Sequence, residues 1–144
     1  MSAALISPAA KYAPPKLVDA HLKSERIRLS KPALKAFFKI MEAWRIRGED
    51  ARELLGSVPS SVYYNLKKTF GSVLEPDKLT RISLLIGIYQ ALNIVYGKKL
   101  ANDWVSLPNT SILFNGKSPL SYMISGGIPA METVRRLLDA RRGM

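Results

Sequence analysis

The sequence predicts an all-α protein built from a helical bundle followed by a smaller helical module. Three observations carry that prediction. Apolar residues recur at three- and four-residue spacing through most of the chain; capping residues or prolines stand where the periodic stretches begin; and no run alternates apolar with polar residues for more than a few positions. The 144 residues suffice for one average domain or two small ones sharing a core, and 47% apolar with 23% charged residues is an ordinary globular composition.

Residues 1–29 form a leader containing proline, alanine and lysine without a sustained period, which predicts an extended or partner-ordered basic arm. Ser30 ahead of Pro32 reads as a helix start, and Leu34, Phe37, Phe38, Met41 and Trp44 continue at helical spacing to an end near Gly48. A short helix over Glu49 to Leu55 opens on acids that suit its N-terminal dipole and stops at Gly56. Ser60 is the expected cap of a third helix reaching Thr69, and a long apolar helix runs from Pro76 to Tyr96.

Beyond Gly97 a short helix ends near Trp104, and Pro108, Asn109, Asn115 and Gly116 mark a loop in which Ser111 to Asn115 is the one plausible extended piece. Two small helices follow, one opening at Ser118-Pro119 and one near Pro129 after Gly126-Gly127. The expected organisation is a leader over 1–29, a bundle over 30–97 and a C-terminal module over 98–144.

Charge and side-chain chemistry narrow the function. The net charge of +11 favours acidic partners, and it concentrates at the ends: six bases against two acids in residues 1–31, and seven against three in residues 97–144. Solubility alone would also account for such a surplus. With no cysteine and only His21 there is no thiolate metal site and no nucleophile–base pair, so neither an enzyme nor a bound cofactor is expected. Gly126-Gly127 lacks the lysine and spacing of a phosphate cradle. The uncharged stretch Ile82 to Gly97, 16 residues, is short of the ~20 that cross a bilayer and reads as a buried helix. No secretory apolar run precedes it, so a cytoplasmic protein without membrane attachment is expected.

Two short helices joined by a glycine-containing turn form the unit that lays its second helix in the DNA major groove. At 100° per residue, Val62, Leu66 and Thr69 fall on one side, to pack on Ala51, Leu54 and Leu55, and Ser60, Tyr64, Lys67 and Lys68 fall on the other. Ser60, Ser61, Tyr64, Lys67 and Lys68 are therefore the candidate DNA contacts, mostly to phosphates; the same lysines would also suit a plain solvated face. The segment Leu55-Gly56-Ser57-Val58-Pro59-Ser60-Ser61-Val62 resembles the turn of the Xre group of helix-turn-helix regulators. It departs at Arg52, where that group usually has a small residue, and at Ser57, where it usually has an apolar one.

Further on, Trp104-Val105-Ser106-Leu107-Pro108-Asn109, Gly116-Lys117-Ser118-Pro119-Leu120 and Gly126-Gly127 resemble the toxin-binding domain of the Xre, MbcA and ParS antitoxins over about residues 100–140. Each element also has a structural use: Trp104 anchors the loop, Pro108-Asn109 turns it, Gly116 allows a positive φ and Ser118-Pro119 starts a helix. The resemblance implies an Xre-like helix-turn-helix bundle followed by a toxin-binding domain, operator DNA as one partner, and as the other a RES-type toxin that consumes NAD and whose active site the antitoxin covers.

The last helix has Val134, Leu137 and Leu138 on an apolar stripe, leaving Arg135, Arg136, Arg141, Arg142 and the Met144 carboxylate as candidate toxin contacts. A solvated basic C-terminus, favoured by the helix dipole, is the other reading of that tail. Homodimerisation through Leu85, Ile88, Tyr89, Leu92 and Tyr96 is expected, though a buried core helix would carry the same residues. A stand-alone regulator with no toxin, or a scaffold without DNA, would share this architecture.

Overall fold

The periodic stretches become six α-helices, with no strand among the described residues, in the computed structural model, which describes residues 22–143. They are α1 (Lys23–Ala43), α2 (Gly48–Leu54), α3 (Ser60–Thr69), α4 (Pro76–Tyr96), α5 (Lys98–Trp104) and α6 (Pro119–Arg142). His21, Met144 and all but the end of the expected leader lie outside the described residues.

The first helix begins earlier than its sequence signals suggest. Ser30 is no cap: it is buried inside α1, where its Oγ donates to the Arg26 carbonyl at 2.5 Å and accepts the Leu74 N–H at 2.8 Å. A serine that ties its helix to a distant loop looks, in sequence, like one that starts a helix. Pro32 lies within α1 on its exposed side, and its missing N–H leaves the Arg28 carbonyl without a helical partner. The other end also shifts. α1 closes at Ala43 through a pair of bonds, Arg45 N–H to Glu42 and Ile46 N–H to Met41, with Arg45 rather than a glycine in the left-handed region at φ 55°. Gly48 then opens α2.

α4 is the hub, packing against α1, α5 and α6, while α2 also meets α6. Between Arg81 and Asn93 only Gln90 is exposed. Ile82, Leu85, Ile88 and Leu92 are completely buried within one chain, against a core containing Phe37, Trp44, Met131, Val134 and Leu138. Three of the residues expected to form a dimer seam, Leu85, Ile88 and Leu92, are thereby taken up inside the protomer; α6 occupies the surface that a second copy was expected to cover. The length and composition of α4 would also suit a membrane span, but its neighbours bury it as the core of this bundle.

The C-terminal module hangs on Trp104, which stacks on Tyr96 at 6.3 Å and receives the edge of Phe114 at 5.8 Å; Phe114 in turn meets Tyr122 edge-on at 5.4 Å. Residues 111–116 form turns rather than the expected extended piece. Asn109 Oδ1 accepts the Ser111 N–H, Ser111 O accepts the Phe114 N–H, and the Lys117 N–H returns to Phe114 O, so local bonds displace a ladder. Ser118 caps α6 by accepting the Ser121 N–H at 3.1 Å. The break expected at Gly126-Gly127 falls at Gly127, whose φ of 64° and ψ of −146° only glycine adopts readily, and helix resumes through Pro129.

Replacing Ser30 by alanine strips the buried Leu74 N–H of its acceptor. The expected cost is about 1–3 kcal/mol in chemical denaturation; Ser30→Ala melting like the parent would show that this bond carries no stability.

Candidate functional site

The turn between α2 and α3 is held from within. Leu55 ends α2, Gly56 and Ser57 turn the chain at φ 106° and 58°, and Val58 buries its side chain below. The side chain of Arg52 donates from Nε to the Val58 carbonyl at 2.9 Å, while the Val58 N–H reaches back to the Arg52 carbonyl at 3.2 Å. Ser57 Oγ donates to Glu53 at 3.1 Å. The two departures from the Xre pattern thus bond the turn rather than distort it. On its outer side the turn abuts α4: a Cβ on Gly56 would stand 3.3 Å from both Arg81 Nε and Asp77 Oδ2, which bond to each other at 2.9 Å.

α3 is rotated relative to the face expected from the helical wheel. Its buried residues are Tyr63 and Leu66, whereas Val62 is 45% exposed and Thr69 is also exposed. The ring of Tyr63 decides this, because it fills the space over Phe38, edge-on at 5.4 Å, and covers more apolar area than a valine would. Ser60 is the first residue of the helix and makes no side-chain cap bond, since Pro59 holds the cap position.

The candidate DNA contacts nevertheless share one exposed helix. Ser60, Ser61, Tyr64, Lys67 and Lys68 are all exposed, and none of the described acids pairs with either lysine. Tyr64 is half exposed but leans on α2: a Cβ at Gly48 would stand 2.6 Å from its hydroxyl. Gly48 therefore serves as the seat of a phenol, which no capping signal in the sequence announces. Burial, and secondarily the neighbouring Tyr64, push the Tyr63 hydroxyl above its ordinary pKa.

The arginines of α6 divide into two pairs. Arg136 and Arg142 are exposed, with Arg136 donating to Thr133 Oγ1 at 3.3 Å and Arg142 standing 3.7 Å from Asp139. Arg135 and Arg141 turn inward, contrary to the expectation that all four reach outward. Arg135 lies across α4 in the space a Cβ on Gly87 would occupy and bonds Asp139 at 3.0 Å, and Arg141 donates to the Tyr96 hydroxyl. Both fasten α6 to α4, and Met144 lies outside the described residues. Sequence reasoning missed Ile112, which is 96% exposed at the tip of the bonded 109–117 turn, because an apolar residue in a loop gives no hint whether it folds in or out. Among the described residues no three His, Cys, Asp or Glu side chains gather as a metal site.

Two family models match the chain, one on each side of the middle of α4. The family described as the antitoxin Xre-like helix-turn-helix domain matches residues 25–87, and the antitoxin Xre/MbcA/ParS C-terminal toxin-binding domain matches residues 90–143. The chain is similar to the "Uncharacterized protein y4oB" of Sinorhizobium fredii, 38% identical over 111 residues, or 76% of this chain and 84% of that protein. No solved structure matches it.

Two outcomes test this geometry. Arg52→Ala frees the Val58 carbonyl and is expected to cost about 1.5–3 kcal/mol, read by denaturant unfolding; a neutral substitution would mean that the turn stands without the guanidinium. The raised pKa of Tyr63 stabilises the fold fully below the unfolded tyrosine value near 10, and that contribution is lost as pH rises through the higher folded value. Tyr63→Phe is expected to flatten the alkaline decline in stability, and parallel profiles would exclude the phenol as its source.

Proposed function

The chain belongs to the Xre/MbcA/ParS antitoxins, and on that premise we propose that it neutralises a RES-type, NAD-consuming toxin and represses its own operon. The observation that carries the reading is the pairing, on one shared core, of an exposed basic helix behind a bonded turn with a helical module matching the toxin-binding domain.

In this reading α3 enters the major groove. Ser60 and Ser61 lie at its leading end, and Tyr64, Lys67 and Lys68 bind phosphates, with at most one or two base contacts among them. The protein acts as a cytoplasmic homodimer on two half-sites. With the inner faces of Leu85, Ile88 and Leu92 buried in the protomer, the dimer surface draws on the outward side of the bundle, where Ile94 is 60% exposed.

The C-terminal module covers the mouth of the toxin's active site without chemistry of its own. Arg136 and Arg142 are its polar contacts and Ile112 its apolar one. Arg135 and Arg141 contribute by holding α6 in place.

The test is growth of bacteria expressing the toxin candidate encoded beside this gene, with the full chain supplied in trans. Wild type is expected to restore growth and NAD levels. The triple variant Ile112→Asp, Arg136→Ala, Arg142→Ala is expected to fail while melting like the parent and keeping its DNA affinity. Rescue by both proteins would remove these three residues from the interface; rescue by neither, with operator binding intact, would make the protein a regulator without a toxin.

A further inference from the structure

Between α1 and α3 lies an open cleft of about 600 Å³. Its apolar floor is Phe38, Tyr63 and Phe70, and its rim carries Lys35 and Lys39 of α1 opposite Lys67 of α3. Among the described residues none of these three ammonium groups forms an ion pair, and the one carboxylate on the lining is Glu42. Like charges gathered around one concavity repel, and low-dielectric walls focus their field outward, so the arrangement suits an anion arriving from solvent.

The cations also form a line. Lys31, Lys35 and Lys39 are all exposed and four residues apart, which sets them at steps of roughly 6 Å along the same side of α1. Lys31 carries the row beyond the cleft. A compact anion would have no use for that extension, whereas a chain of phosphates would meet each lysine in turn. The opposite wall is α3 itself, and a DNA strand bordering the groove that α3 enters must pass along its flank.

We infer that the α1–α3 cleft seats the DNA sugar–phosphate backbone, with Lys35 and Lys39 as phosphate contacts in addition to Lys67. This rests on the DNA-reading role proposed above. α1 is then part of the nucleic-acid interface as well as the wall of the core, and its contribution is independent of base sequence.

The experiment is a salt titration of duplex binding, using the DNA immediately upstream of the gene and an unrelated duplex of equal length. The full-length wild type is compared with Lys35→Ala/Lys39→Ala and with Lys98→Ala/Lys99→Ala, which removes the same charge from exposed positions at the start of α5. The expected result is a slope of log affinity against log salt reduced by about 2 in the α1 variant, on both duplexes, and left nearly intact in the α5 variant. An unchanged slope in the α1 variant, or an equal loss in both variants, overturns the cleft assignment while leaving DNA binding standing. Absence of salt-dependent binding by wild type overturns the DNA-reading role and the cleft assignment with it.

Discussion

Everything in this fold answers to the need to take α4 out of water. A helix with uncharged residues from Ile82 to Tyr96 cannot stand on a surface, and no single neighbour is wide enough to cover it. α1 takes one side, α6 another and α5 the C-terminal end, and Trp44, Phe37 and Phe114 are the largest of the fully buried side chains in the resulting core. α2 and α3 are pinned to this assembly secondarily, through Leu54, Leu55, Val58, Tyr63 and Leu66. α3 can afterwards leave eight of its ten residues exposed because the stability it requires is supplied elsewhere.

The order of helices and most of their limits were legible because caps, prolines and apolar period act locally. Pro76, Ser118-Pro119 and Gly127 operate within one turn of where they stand. What was not legible depends on partners far away in sequence. Ser30 resembles a cap until Leu74 is seen 44 residues on, and Gly48 resembles a stop until the Tyr64 hydroxyl is found against it. The rotation of α3 belongs to the same class: Val62 and Tyr63 are both apolar enough to face inward, and only the shape of the space over Phe38 selects the ring.

The C-terminal arginines illustrate the limit of charge as a guide to function. Arg135, Arg136, Arg141 and Arg142 are equivalent in composition, yet their positions around α6 give them different work. Arg135 lays its guanidinium over Gly87 of α4 and bonds Asp139, and Arg141 bonds the Tyr96 hydroxyl at the end of α4. The other two remain in water. Helical periodicity identified the stripe of Val134 and Leu138, but Arg135 follows Val134 by only one position and shares part of its inward arc, a neighbourhood that a two-sided view of the helix omits.

The place where the two families meet has a consequence for how such proteins diversify. One match ends at residue 87 and the other begins at 90, and both numbers fall in the middle of α4. Gly87, at that seam, has no side chain because Arg135 from the far end of the chain lies there. A recombination event that joined this N-terminal half to the C-terminal half of a distant relative would splice a helix in its interior and would bring together two halves of a core never fitted to each other. The two matched halves therefore share a single core, and a change at either side of the seam, Gly87 or Arg135, is felt by the other.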